Sequence, residues 1–223
     1  MLLLESCVIA LLLSFSYKII ERILRVVSKQ QERFAVYYWG VAMIGVSVLW
    51  KNSYTFGTMQ NVKTVLPLFL VSLLGSLLIS RSSGYSPLGT SHTINFLLAP
   101  PIVEEIAFRG LVLPILARHP ALGQLHSNSI LDISWTILIT SLLFAVSHLQ
   151  YYRLNRQSIR FMLFAFSGGI FFGLIAQVTG SILLTIPLHI AFNGSAVLYA
   201  NFAAKKSTTA SRAADSFFEL TFI

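Results

Sequence analysis

Apolar residues run through this chain in long blocks separated by short basic segments. The blocks lie at approximately Leu2–Ile20, Phe34–Trp50, Val65–Ser80, Thr93–Ala117, Leu131–Leu149, Phe161–Val178 and Ser181–Ala200. Each comes close to the roughly 20 residues an α-helix needs to cross hydrocarbon. Apolar positions within the blocks are continuous rather than alternating, which predicts helices and argues against a closed β-barrel. The expected fold is all-α, a polytopic helical membrane protein of about seven transmembrane helices. In this reading residues 1–200 are a single membrane domain, with 1–92 holding spans without motifs and 93–200 the motif-bearing core. Only Thr179-Gly180 separates the last two blocks, so a tight helical hairpin is expected there. Residues 201–223 read as a polar, flexible tail.

Composition agrees with the pattern. Only 11% of the 223 residues are charged and 55% are hydrophobic, whereas a soluble domain carries about 25% charged residues. The net charge of +8 would suggest nucleic acid in a soluble protein. Here the cations sit between apolar blocks, so the expected partners are membrane lipids and not nucleic acid. Seven spans put Lys18, Arg22, Arg25, Lys29, Arg33, Arg81, Arg153, Arg156, Arg160, Lys205, Lys206 and Arg212 on one side, leaving Lys51, Lys63 and Arg118 on the other. That asymmetry predicts a cytoplasmic basic side and an outward N-terminus. Met1–Ile20 lacks a basic leader and a small-residue cleavage site, and reads as a retained span. Cys7 is the sole cysteine, which excludes an intramolecular disulfide. Trp39, Trp50 and Tyr151 read as interface anchors, and His92, His119 and His126 as solvated loop or span-edge residues.

Against this apolar background a few polar residues stand out. Glu104 and Glu105 lie inside the fourth block, where a carboxylate costs on the order of 3 kcal/mol. Glu105 and Arg109 share a helix face and are expected to pair. Glu104 points about 100° away and is left to face a cavity. Pro100-Pro101 suits a helix start or a kink, and a start would put both carboxylates in a first turn favoured by the helix dipole; Pro114 suggests a second bend. Phe144 and His148 end the fifth block, and His189 and Asn193 share one face of the last. Ser167-Gly168-Gly169 and Gly173 allow close helix approach.

A carboxylate, two imidazoles and a carboxamide can support amide hydrolysis. Glu104 is the natural base, His148 can share the water or act as acid, and His189 and Asn193 can donate to an oxyanion. Alternatively Glu104, His148 and His189 could bind Zn²⁺ with one position open for water, although the His-Glu-x-x-His motif is absent. The blander readings are a structural ion pair or a transporter's proton relay for Glu104, buried hydrogen-bonded imidazoles for His148 and His189, an interhelical hydrogen bond for Asn193 and packing for Phe144. No inverted repeat supports a transporter.

Glu104-Glu105-x-x-x-Arg109, Phe144-x-x-x-His148 and His189-x-x-x-Asn193, in that order, resemble the CPBP family, which includes the CAAX prenyl endopeptidases and the bacterial Abi-type proteins. The resemblance covers roughly Pro100 to Asn193 and includes the Thr179-Gly180-Ser181 turn. It implies an intramembrane endopeptidase cutting near the C-terminus of lipidated or membrane-bound substrates. Glu104 and His148 would activate water, His189 and Asn193 would form the oxyanion hole, and Glu105 and Arg109 would support the site. It leaves zinc open and makes the partner a peptide or membrane protein, with prenylated substrates among those the family's name implies. Leu149-Gln150-Tyr151 stands where the eukaryotic prenyl endopeptidases carry a further histidine, which points to the bacterial branch and a cell-membrane location. The seven-span topology puts His148 near the cytoplasmic end and opens the site to the cytoplasm. A non-catalytic immunity or scaffold protein on the same fold is the alternative.

Overall fold

The computed structural model describes residues 3–83, 89–123 and 132–221, with side chains as far as Lys205. His126 lies outside the described residues. The chain is all-helical: α1 (Leu3–Val27), α2 (Ala35–Leu49), α3 (Val62–Ser80), α4 (Thr90–Glu104) continuing through a π-helical stretch (Glu105–Val112) into α5 (Leu113–Leu116), α6 (Trp135–Ser147) with a 3-10 end (His148–Gln150), α7 (Arg156–Thr179) and α8 (Thr185–Thr221). Counting α4 through α5 as one rod gives seven helical segments, in the places the apolar blocks predict. Of these, α1, α3 and α7 are long and apolar enough on their own to cross a membrane. The protein is an integral membrane protein.

Alternate loops gather at opposite ends of the bundle. At one end Gln157 donates to the Ser83 carbonyl (2.5 Å) and Tyr17 packs on Tyr151. At the other, Arg118 lies 4.5 Å over the Trp50 ring and His119 bonds Ser6 (2.7 Å). The basic loop residues therefore share one end, as an odd number of passes requires.

Four expectations need correction. First, Pro100 and Pro101 do not start a helix; they lie inside α4, which begins at Thr90. Glu104 and Glu105 thus gain nothing from a helix N-terminus, and their stabilisation must come from side chains. Proline leaves a carbonyl without its i+4 donor, and the fold supplies replacements. Asn193 Nδ2 donates to the Phe96 carbonyl that Pro100 deprives (3.1 Å), while Tyr54 N and Ser53 Oγ donate to the Gly110 carbonyl that Pro114 deprives (both 3.0 Å).

Second, α7 and α8 do not form a tight hairpin. Gly180, at φ +65°, caps α7 in the left-handed region with its N–H on Ala176 O (2.8 Å), and residues 181–184 follow before α8 begins. That spacer lets the two helices diverge, and their packing holds them apart: α8 lies mainly on α3 and α4, and α7 on α6 and α3. Third, the backbone stays helical to Thr221 rather than ending near Ala200. Ala203-Ala204-Lys205-Lys206 is rich in good helix formers, so α8 has no stop signal there. Fourth, Trp39 is no interface anchor. It is 1% exposed, donates to Ser16 Oγ (2.8 Å) and packs edge-on against Tyr17.

The loop between α2 and α3 braces the rod. Besides Ser53 and Tyr54 on Gly110, Gln60 N bonds Thr179 O (2.9 Å) and Ile182 N bonds Tyr54 O (3.2 Å). It thus ties the π-helical stretch to the α7–α8 turn. Gly110 packs directly on Thr55 and Gly57 on the Gly180 carbonyl, with no space for a Cβ at either.

Candidate active site

Glu104, Glu105 and Arg109 sit where α4 passes into the π-helical stretch, a local widening often found at functional sites. Glu105 and Arg109 are both 0% exposed, and Arg109 Nη1 bonds Glu105 Oε1 at 3.0 Å. The remaining guanidinium nitrogens have no hydrogen-bond partner; the group is flanked by aromatic faces, its Cζ 4.2 Å from the Phe144 centroid and 5.6 Å from Phe172. Cation–π attraction in a desolvated site, worth about 2 kcal/mol, replaces the missing hydrogen bonds.

His189 bridges the two glutamates from α8. Its Nδ1 is 2.9 Å from Glu105 Oε1 and its Nε2 is 3.7 Å from Glu104 Oε2. An ionised carboxylate can only accept, so Nδ1 carries the hydrogen and Nε2 is directed at Glu104. The second distance is too long for a hydrogen bond and leaves room for a third group touching both. Glu105 therefore does more than pair with Arg109: it orients the imidazole. Glu104, 6% exposed, is not left partnerless, because His189 and the Tyr151 hydroxyl both stand beside it.

Phe144 is the hub of the aromatic packing. Its ring centroid is 5.0 Å from His148, 5.9 Å from His189 and 5.1 Å from Phe108, all edge-to-face. A residue that reads as simple packing therefore sets the spacing of both histidines. His148 Nδ1 is 2.9 Å from Phe144 O, a carbonyl that can only accept, so Nδ1 is the donor.

Sequence reasoning missed two residues. The Gln150 side chain enters the hydrogen-bond ladder of α1: Lys18 N–H donates to Oε1 (3.0 Å) and Nε2 donates to Ser14 O (2.9 Å). Lys18 and Ser14 are an i, i+4 pair, so one carboxamide substitutes for a turn of helix and fastens the His148–Gln150 segment to α1. Tyr151, read as an interface anchor, packs on Tyr17 (centroids 4.7 Å) and meets Glu104. Their position two and three residues after a motif histidine was the available signal for both.

His148, His189, Asn193 and Phe144 line a mostly apolar cavity of about 510 Å³, together with residues of α7 and α3. α3 belongs to the first spans, which carry no motif, yet Val71, Ser72, Gly75 and Ile79 form one wall. The site is thus not confined to the C-terminal helices. Tyr151 and Pro100, both near Glu104, line a second, polar cavity of about 500 Å³.

Zinc would need Glu104, His148 and His189 as a set. Among the described residues no three His, Cys, Asp or Glu side chains converge as metal ligands. Glu104 and His189 come together and His148 does not join them, so this geometry does not fit the zinc site.

The family model for type II CAAX prenyl endopeptidases, Rce1-like, matches residues 87–195, a stretch that contains Glu104, Glu105, Arg109, Phe144, His148, His189 and Asn193. No curated protein and no solved structure matches the chain. Over that stretch the chain is similar to the CPBP and CAAX prenyl protease family.

Proposed function

We propose that the protein is an intramembrane endopeptidase that hydrolyses a peptide bond near the C-terminus of a lipidated or membrane-bound substrate. The carrying observation is the Glu104–His189–Glu105 bridge, buried in the bundle and set beside an apolar cavity. Glu104 takes a proton from water, and the water oxygen attacks the scissile carbonyl carbon. The carbonyl π bond opens to an oxyanion. His189, in its protonated form, offers Nε2–H to that oxygen, and Asn193 offers the second Nδ2 hydrogen, since only one is used on Phe96 O. Collapse breaks the C–N bond as Glu104 returns the proton to the departing nitrogen. His148, in its neutral form, accepts at Nε2 a hydrogen bond from the water or substrate. Glu105 and Arg109 hold the geometry and touch nothing that reacts.

The cavity supports a lipidated substrate. Its volume lies in the range of about 300–1,000 Å³ typical of small-ligand sites, and its walls are phenylalanine, glycine and aliphatic side chains. An isoprenoid chain matches that lining. The basic end of the bundle faces the cytoplasm by the positive-inside rule. His148 lies at that end, within reach of a cytoplasmic tail. The absence of a further histidine after His148 supports a bacterial cell membrane.

The test is cleavage of prenylated and unprenylated tail peptides by purified wild type and Glu104→Gln, read by mass spectrometry. Wild type is expected to cut the prenylated peptide preferentially, and Glu104→Gln to lose about 10²–10⁴-fold in rate, the usual share of a general base. Unchanged activity in Glu104→Gln would end the assignment.

A further inference from the structure

The polar cavity near Glu104 has no role in the chemistry above. It is lined by Lys29, Glu32 and Arg33 from the α1–α2 turn and by Tyr17, Pro100 and Tyr151. Pro100 lies one helical turn before Glu104 and Tyr151 stands beside its carboxylate, so two of the cavity's lining residues are neighbours of the base.

Its charges are unevenly matched. Glu21, also in the lining, pairs with Lys18 and with Arg25 (3.1 Å), and Glu32 pairs with Arg25 (2.5 Å). Lys29 and Arg33 have no ion-pair partner among the described residues. The Arg33 guanidinium rests 4.7 Å over the Phe34 ring, which steadies it without neutralising it. Both side chains are exposed at the basic end of the bundle. Two uncompensated cations therefore line a cavity whose other lining residues include Pro100 and Tyr151, neighbours of the base.

We propose that this cavity binds the segment of the substrate C-terminal to the scissile bond, with Lys29 and Arg33 holding its terminal carboxylate. The proposal rests on the protease reading and deepens it. A chain cut at Glu104 runs from one cavity into the other. The apolar cavity contains no lysine or arginine, so an ionised carboxylate placed there would be desolvated and unpaired. The polar cavity offers an arginine fork and an ammonium, groups that bind carboxylates by charge-assisted hydrogen bonds. The lipid-bearing side of the substrate then lies in the apolar cavity, and the leaving fragment departs toward the basic end.

The experiment measures binding in the Glu104→Gln protein, which keeps the peptide uncut, in a neutral detergent. Two fluorescent prenylated peptides are compared, identical except for a terminal carboxylate or carboxamide. The acid is expected to bind about 10-fold tighter, as one charged hydrogen bond would give. Adding Lys29→Gln and Arg33→Gln is expected to reduce that preference below about 2-fold with amide binding unchanged. Lys29→Arg with Arg33→Lys is expected to retain most of it. Equal binding of acid and amide would overturn the proposal, as would a preference that survives loss of both cations. A parallel fall in amide binding would also overturn it, because the cations would then act on something other than the carboxylate. If the preference appears and wild type cuts neither peptide, the subsite stands and the protease reading falls.

Discussion

Arg109→Met removes the guanidinium and leaves the rest of the motif intact. Both members of its ion pair are 0% exposed, so the mutation leaves the Glu105 carboxylate dry and without its cation, with His189 Nδ1 at 2.9 Å still in place. Breaking a buried pair from one side costs about 3–5 kcal/mol. Loss of the contacts to Phe144 and Phe172 pushes the value toward the upper end, although the methionine refills part of the volume. Adding Glu105→Leu removes the stranded charge. What remains is an unpaired His189 Nδ1–H, costing about 1–3 kcal/mol. The double variant is therefore expected to be about 2 kcal/mol more stable than Arg109→Met alone. The check is a double-mutant cycle on unfolding by SDS titration in mixed micelles. Activity supplies a second, independent readout: the double variant should stay inactive even where its stability recovers, because His189 has lost the acceptor that orients it. A coupling below about 0.5 kcal/mol, the level of independent sites, would refute the buried pair. Recovery of activity along with stability would refute the orienting role of Glu105.

Other changes test the supporting parts. Gln150→Leu should leave unfolding nearly unchanged, since Lys18 N–H and Ser14 O can close on each other, while kcat for peptide cleavage falls about 10-fold with little change in KM as the His148 turn loosens. Gly169→Val should destabilise by about 1–3 kcal/mol, because a Cβ there stands 2.9 Å from Ser141 Cβ and 3.2 Å from its Cα, whereas Gly168→Ala, with nothing within 4 Å, should be tolerated; SDS titration of both decides. Asn193→Leu should cost about 1–3 kcal/mol by stranding the Phe96 carbonyl, and should slow cleavage more than that loss of stability accounts for if the second Nδ2 hydrogen meets the oxyanion. Equal unfolding transitions for Asn193→Leu and wild type would dispose of the carbonyl bond.

Legibility in the sequence followed the range of the forces involved. Apolar periodicity and loop charge are properties of each segment, and they located the seven helical segments and which loops share an end. The Glu105–Arg109 bond was readable because one helix turn carries both partners. What failed depended on contacts between segments. Pro100-Pro101 reads as a helix start when its own carbonyls are the only ones considered; it survives mid-helix because Asn193, from α8, supplies a donor. Gly180 correctly marks a turn, yet the splay of α7 and α8 comes from their packing on α3, which no local signal records.

The same distinction explains why the spans without motifs matter to the site. A motif marks residues whose chemistry is unusual for their surroundings, and the walls of an apolar cavity are not unusual in an apolar chain. Val71, Gly75 and Ile79 of α3 look like ordinary membrane helix, yet they face His189 and Asn193 across the cavity. Gln150 looks like a polar residue at a helix end, yet it joins α1 to the turn that holds His148. Chemistry therefore concentrates in α4, α6 and α8, while shape and attachment are distributed over α1, α3 and α7. Exchanging the cavity-facing residues of α3 should alter which chain lengths are accepted, whereas exchanging Glu104 or His189 should alter whether any bond is cut.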